Sequence, residues 1–140
     1  MRHGLKIAFI ALHATAYLQT RSSGGLLSSG QGAVDIKHYL LDLRIDPYKK
    51  VISGTATVQF QLLKPSDKIV LDLVKNYSVS GAKLNGTSMA FIHKDEKVLV
   101  ENPDIELFKN NILEIRYGGM PPTAKNPPWD GGFTWSKSED

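Results

Sequence analysis

The side chains able to do chemistry in this 140-residue chain are scattered rather than assembled. Its four histidines are His3, His13, His38 and His93. A His-Glu-x-x-His run would set two imidazoles one helical turn apart on the same zinc, with the glutamate beside the metal-bound water. The chain has no such run. Asp42 and Asp72 could be read as paired carboxylates for acid–base work, but both alternate with apolar residues, as solvent-face positions of strands do. A Gly-x-Ser-x-Gly elbow, a phosphate loop and a dinucleotide glycine fingerprint are also missing. Without cysteine there can be no disulfide, thiolate metal site, cysteine nucleophile or lipoprotein anchor. No catalytic, cofactor-binding or metal-ligating residue is expected in this chain.

Trp129, Phe133 and Trp135 gather around Asp130-Gly-Gly132 near the end of the sequence. Such rings could form a platform that stacks on sugars, as in a stand-alone carbohydrate- or protein-binding module. They could instead close the end of a β-core, with the glycines permitting a tight reversal. The second reading is preferred.

The elements that must position these residues read as strands. Tyr39, Leu41, Leu43 and Ile45 alternate with His38, Asp42 and Arg44, the two-residue period of a strand with one buried face. Leu40 breaks the alternation and is expected to touch a neighbouring element. Asp46-Pro-Tyr-Lys-Lys50 supplies a turn, with Pro47 fixing its own φ. Ile52, Gly54, Ala56, Val58, Phe60 and Leu62 then face one way, and Ser53, Thr55, Thr57, Gln59 and Gln61 the other. Gly54 and Ala56 leave so little bulk that another backbone or a large ring is expected against them.

Ile69, Leu71 and Leu73 mark a third strand, and a fourth segment runs from Tyr77 to Leu84. Asn85-Gly86 is a hairpin signal because both residues tolerate positive φ. Residues 89–93 read as the return from that hairpin. Lys94-Asp-Glu-Lys97 turns into residues 98–100, residues 105–108 follow Pro103, and Leu113, Ile115 and Tyr117 share a face of the last strand. Strands at this spacing, with no long helical period between them, predict an all-β fold, an antiparallel β-sandwich or saddle-like sheet.

The domain is expected to start near Val34 and to occupy residues 34–140. At that size it buries roughly 65% of its unfolded surface, enough for one modest core. Before it, residues 1–19 resemble a signal peptide or a disordered leader. Arg2 and Lys6 precede the apolar Ile7-Ala-Phe-Ile-Ala-Leu12, and Ala14-Thr-Ala16 has the small-x-small form of a cleavage site. The apolar run is too short to be a transmembrane segment, which needs about 20 residues. Export to the periplasm follows if the leader acts as a signal, and the cytoplasm otherwise. Residues 20–33, rich in Ser and Gly, read as a flexible linker.

The net charge of +3 does not mark a nucleic-acid binder. Arg2, Lys6 and Arg21 carry the excess, whereas the 14 basic side chains from Gln31 onward equal the 14 acidic ones. Phosphate tracking needs cations concentrated on the folded face.

One resemblance draws these segments together. His38-Tyr-Leu-Leu-Asp-Leu43, Ile52-Ser-Gly-Thr-Ala56 and Leu71-Asp-Leu73 are followed in order by Tyr117-Gly-Gly-Met-Pro121 and Pro128-Trp-Asp-Gly-Gly-Phe-Thr-Trp-Ser-Lys137. From about Asp35 to Ser136 the chain resembles the N-terminal β-domain of M1-family zinc aminopeptidases. Each strand motif is weak alone, and their order plus the Trp-Asp-Gly-Gly-Phe run carries the likeness.

The resemblance implies a noncatalytic fragment, incomplete at its C-terminus and ending before the catalytic domain. In the parent enzyme that domain releases N-terminal amino acids from peptides by way of zinc-activated water. Zinc is therefore implied for the parent and no cofactor for this chain. The implied partner is an M1 catalytic domain, in cis or in trans, with peptide substrate reached only through it. The family's Gly-x-Met-Glu-Asn motif, which grips the substrate amine, has no counterpart at Gly118-Gly-Met120. Pro121-Pro122 stands where the carboxylate would be.

Overall fold

The computed structural model describes residues 27–28, 30–102, 105–127, 129 and 131–137. The proposed leader, residues 1–19, and most of the linker lie outside the described residues. A single 3-10 turn, Gln31–Ala33, leads into eight strands. These are β1 (Val34–Asp46), β2 (Val51–Leu62), β3 (Lys68–Asp72), β4 (Tyr77–Leu84), β5 (Thr87–Ser88), β6 (Phe91–Lys94), β7 (Lys97–Glu101) and β8 (Asn110–Gly119). They form two open antiparallel sheets, the larger in the order β1-β2-β8-β4-β5 and the smaller β3-β7-β6. The all-β sandwich expected from the strand spacing is the fold observed.

The core lies between the sheets. Val58 and Phe60 of β2, Leu113 and Ile115 of β8, and Ala82 and Leu84 of β4 pack against Ile69 of β3 and Val98 and Val100 of β7. On β2, β4, β7 and β8 the buried positions are two apart, so each of these strands hands alternate side chains to the same interior. Leu113, Ile69 and Val100 are fully excluded from solvent.

Two turns set registers within this frame. Asn85 (φ 49°) and Gly86 (φ 83°) take left-handed backbone angles between β4 and β5, as the hairpin signal predicts. Asp95 and Glu96 do the same between β6 and β7, at φ 52° and 58°.

The return from Asn85-Gly86 differs from the expected one. It stays beside β4 for only Thr87 and Ser88 and then crosses to the smaller sheet, where Phe91–Lys94 pairs with β7. The crossing is pinned at both ends. Met89 N donates to Ala82 O at 3.0 Å, and Ala90 O accepts from Glu101 N at 3.0 Å. Residues 105–108 belong to no strand.

β1 contains a register shift between Ile36 and His38. Val34 and Ile36 pair with Leu62 and Phe60, and beyond the shift Tyr39 pairs with Val58 and Leu41 with Ala56. One extra residue at Lys37 thus keeps Val34, Ile36, Tyr39, Leu41, Leu43 and Ile45 on the same face. Without it, every apolar residue beyond Lys37 would turn to the opposite side.

Candidate functional site

β1 is a 13-residue strand, about 44 Å long at the usual rise, whereas β3 and β7 have five residues each and reach about 17 Å. The smaller sheet therefore runs out before β1 does. Alternation predicts that Tyr39, Leu41, Leu43 and Ile45 are buried. They do share the inward face, yet they remain 38–54% exposed among the described residues. Leu40, on the other face, is 59% exposed rather than packed on a neighbour. Two of their four ladder partners on β2 are buried, Val58 opposite Tyr39 at 1% and Ile52 opposite Ile45 at 2%.

Where the two sheets part, an open apolar groove of about 320 Å³ is lined by Tyr39, Leu41, Leu71, Leu73, Ile115 and Tyr117. Asp72 stands at its rim, accepting 2.8 Å hydrogen bonds from Lys97 Nζ and Gln31 Nε2. Burial raises the Tyr39 hydroxyl above its ordinary pKa of 10.0, and the Asp72 carboxylate adds to the shift. Tyr117, which lines the groove, meets Tyr77 edge to face, with centroids 5.5 Å apart. Sequence periodicity marks Tyr39, Leu71 and Leu73 as apolar-face residues. It carries no signal that β1 and β3, from different sheets, become the two lips of one groove.

The titratable residues considered for catalysis are dispersed. His38 is an exposed residue on the face of β1 opposite the core. His93 is half-buried, with Nε2 2.9 Å from the Leu73 carbonyl oxygen. Asp42 pairs with Thr55 in the β1–β2 ladder, while Asp72 ends β3 in the other sheet. No three His, Asp or Glu residues stand together as a possible metal site among the described residues.

The three C-terminal rings are not one cluster. Phe133 and Trp135 stack at 5.6 Å with planes 20° apart, both half-buried, whereas Trp129 is 89% exposed and closes nothing. Phe133 N donates to Pro122 O and accepts, through its carbonyl, from Ala124 N. That pairing holds Phe133 against residues 122–124. Gly132 takes φ 135° at this reversal, and a Cβ there would stand 2.7 Å from Pro122 O. Met120 is exposed immediately after β8 ends at Gly119. Among the described residues no helix is long and apolar enough to cross a membrane.

No family model matches the chain, and no curated protein matches its sequence. Solved structures do. An M1 zinc metallopeptidase from Deinococcus radiodurans, crystallised as a point variant, is 31% identical with a TM-score of 0.61, over 70% of this chain and 23% of that one. A two-domain M1 zinc metallopeptidase bound to L-arginine aligns with 31% identity and a TM-score of 0.60, over 71% and 23%. Leukotriene A4 hydrolase from Saccharomyces cerevisiae aligns with 25% identity and a TM-score of 0.52, over 62% and 15%. The chain thus spans about a quarter of the length of the M1 metallopeptidases it matches. The described fold is similar to a part of M1 zinc metallopeptidases, over an extent consistent with an N-terminal domain of such an enzyme.

Proposed function

We propose that this chain is the noncatalytic N-terminal β-domain of an M1-like zinc aminopeptidase, and that it braces the catalytic domain and helps wall the substrate cleft. The parent enzyme would release N-terminal amino acids from peptides. One observation carries the structural role: four inward apolar residues of β1, Tyr39, Leu41, Leu43 and Ile45, stay 38–54% exposed among the described residues. Exposed apolar side chains that are contiguous on one strand face, rather than scattered singly, are the pattern of an interaction surface. The 31% identity to M1 metallopeptidases supports a zinc domain as its occupant. In this reading the zinc and the water it activates belong to that domain, and this chain contributes shape.

Mixing the purified chain with an M1 zinc domain stripped of its own β-domain tests the proposal. A complex should form, amide exchange should slow across residues 39–45, and hydrolysis of an aminoacyl reporter should rise. Absence of any complex would overturn it.

A further inference from the structure

We propose that a second copy of this chain pairs with the free edge of β1 through residues 40–46, antiparallel and two-fold symmetric about Leu43. This goes beyond the proposed function, because it uses the edge of the strand rather than its inward face.

β1 stands at the margin of the larger sheet and is its longest strand. An edge strand of this length presents a row of unpaired backbone donors and acceptors, which natural proteins blunt with bulges, lysines, prolines or brevity. The other margin of that sheet, β5, is blunted by its two-residue length. In β1 the bulge and Lys37 fall in the N-terminal half, and Pro47 lies beyond the last residue. Residues 40–46 hold no bulge, lysine or proline, and their charges, Asp42, Arg44 and Asp46, are of mixed sign and can therefore pair as well as repel.

The side chains of this half favour a centre at Leu43; a centre at Ile45 would also oppose Arg44 and Asp46, but it sets Leu43 against Pro47, which has no N–H, and Asp46 already accepts from Lys49 N. Asp42 and Arg44 project from the face opposite the core, where neither makes an ion pair or side-chain hydrogen bond among the described residues. Antiparallel pairing centred on Leu43 sets Asp42 of each copy opposite Arg44 of the other, so two complementary charge pairs form from one sequence. On the inward face the same register sets Leu41 opposite Ile45 twice and Leu43 opposite itself. Sliding the centre to Leu41 would put Arg44 against His38 and Asp42 against Leu40, losing both pairs. Directly opposed unlike charges stabilise a strand pair, and like charges weaken it. A two-fold axis repeats whatever one copy offers, so each gain counts twice.

Sedimentation velocity on the full 140-residue chain, from micromolar to sub-millimolar concentration, tests the pairing. The wild-type chain should dimerise reversibly. Asp42→Arg alone and Arg44→Asp alone should each raise the dissociation constant by about tenfold or more. The double variant should restore dimerisation, and so should an equimolar mixture of the two single variants, whose charges then complement each other. Far-ultraviolet circular dichroism identical to wild type confirms that these exposed substitutions leave the fold intact. A chain monomeric throughout, a dimer indifferent to both single substitutions, or a mixture no better than its components would each overturn the proposal. None of those results bears on whether a zinc domain covers the inward face.

Discussion

Leu43 and Gly54 face each other across the β1–β2 ladder, and a Cβ on Gly54 would collide with the Asp42 carbonyl oxygen and come within 3.1 Å of the Leu43 Cα. The missing side chain lets two backbones close up where β1 leaves the cover of the smaller sheet. The close approach expected at Gly54 from its sequence context is therefore to backbone, not to a ring.

Gly54→Val should force these strands apart and cost about 1–3 kcal/mol, the usual penalty for overfilling a packed site. Urea unfolding followed by tryptophan fluorescence measures it. An unchanged midpoint would show that β1 can shift to make room.

A second contrast separates core from reserved surface. Leu113 is fully buried, whereas Leu41 is 54% exposed although both belong to the inward face. Leu113→Ala should cost about 2–5 kcal/mol. Leu41→Ser should change stability by less than about 1 kcal/mol, as exposed substitutions usually do, while weakening any complex with a zinc domain. Equal destabilisation by the two would mean that something already covers Leu41.

Asn85 ties the hairpin to β8. Its Oδ1 accepts from Ile112 N at 2.9 Å, and its Nδ2 donates to Oδ1 of Asn111 at 2.9 Å. Asn111, the one buried polar residue of the described core, in turn donates to the Lys109 carbonyl. Asn85→Gly keeps the positive φ available and removes only the side chain. Leaving the Asn111 oxygen without its donor should cost about 1–3 kcal/mol, read as a lowered thermal midpoint. A loss no larger than a few tenths would mean that water replaces the amide.

Alkaline pH should loosen the fold. Burial raises the pKa values of Tyr39, Tyr77 and Tyr117 above 10.0, with Asp72 adding to the shift at Tyr39 and Tyr117 to that at Tyr77. A raised folded-state pKa means the folded protein holds its phenolic protons more tightly than the unfolded chain. That stability is fully present below pH 10 and is lost as pH rises through the folded values. The urea midpoint should therefore fall above pH 10, and Tyr77→Phe with Tyr117→Phe should flatten the decline. An equally steep decline in the double variant would assign it to other groups.

Much of this was legible in the residues. The alternation in β2 and the Asn85-Gly86 turn are local patterns, and local patterns survive folding when one face is buried. Other features depended on partners that sequence does not name. Alternation identified the inward residues of β1 but not that four of them would stay partly exposed beside five-residue strands. The bulge at Lys37 became visible only through pairing with β2. The return after Gly86 was read as one hairpin arm because nothing local to residues 87–93 says which sheet a strand will join. Trp129 shares its segment with Phe133 and Trp135, yet only the latter two meet.

Zinc content together with aminoacyl-reporter hydrolysis, measured on the same metal-free-purified chain after exposure to zinc, bears most directly on the account. A scaffold without a water-activating group should retain no stoichiometric zinc after dialysis and release no amino acid above the buffer rate. One tightly held zinc per molecule, or hydrolysis abolished by a single substitution within residues 34–140, would contradict it.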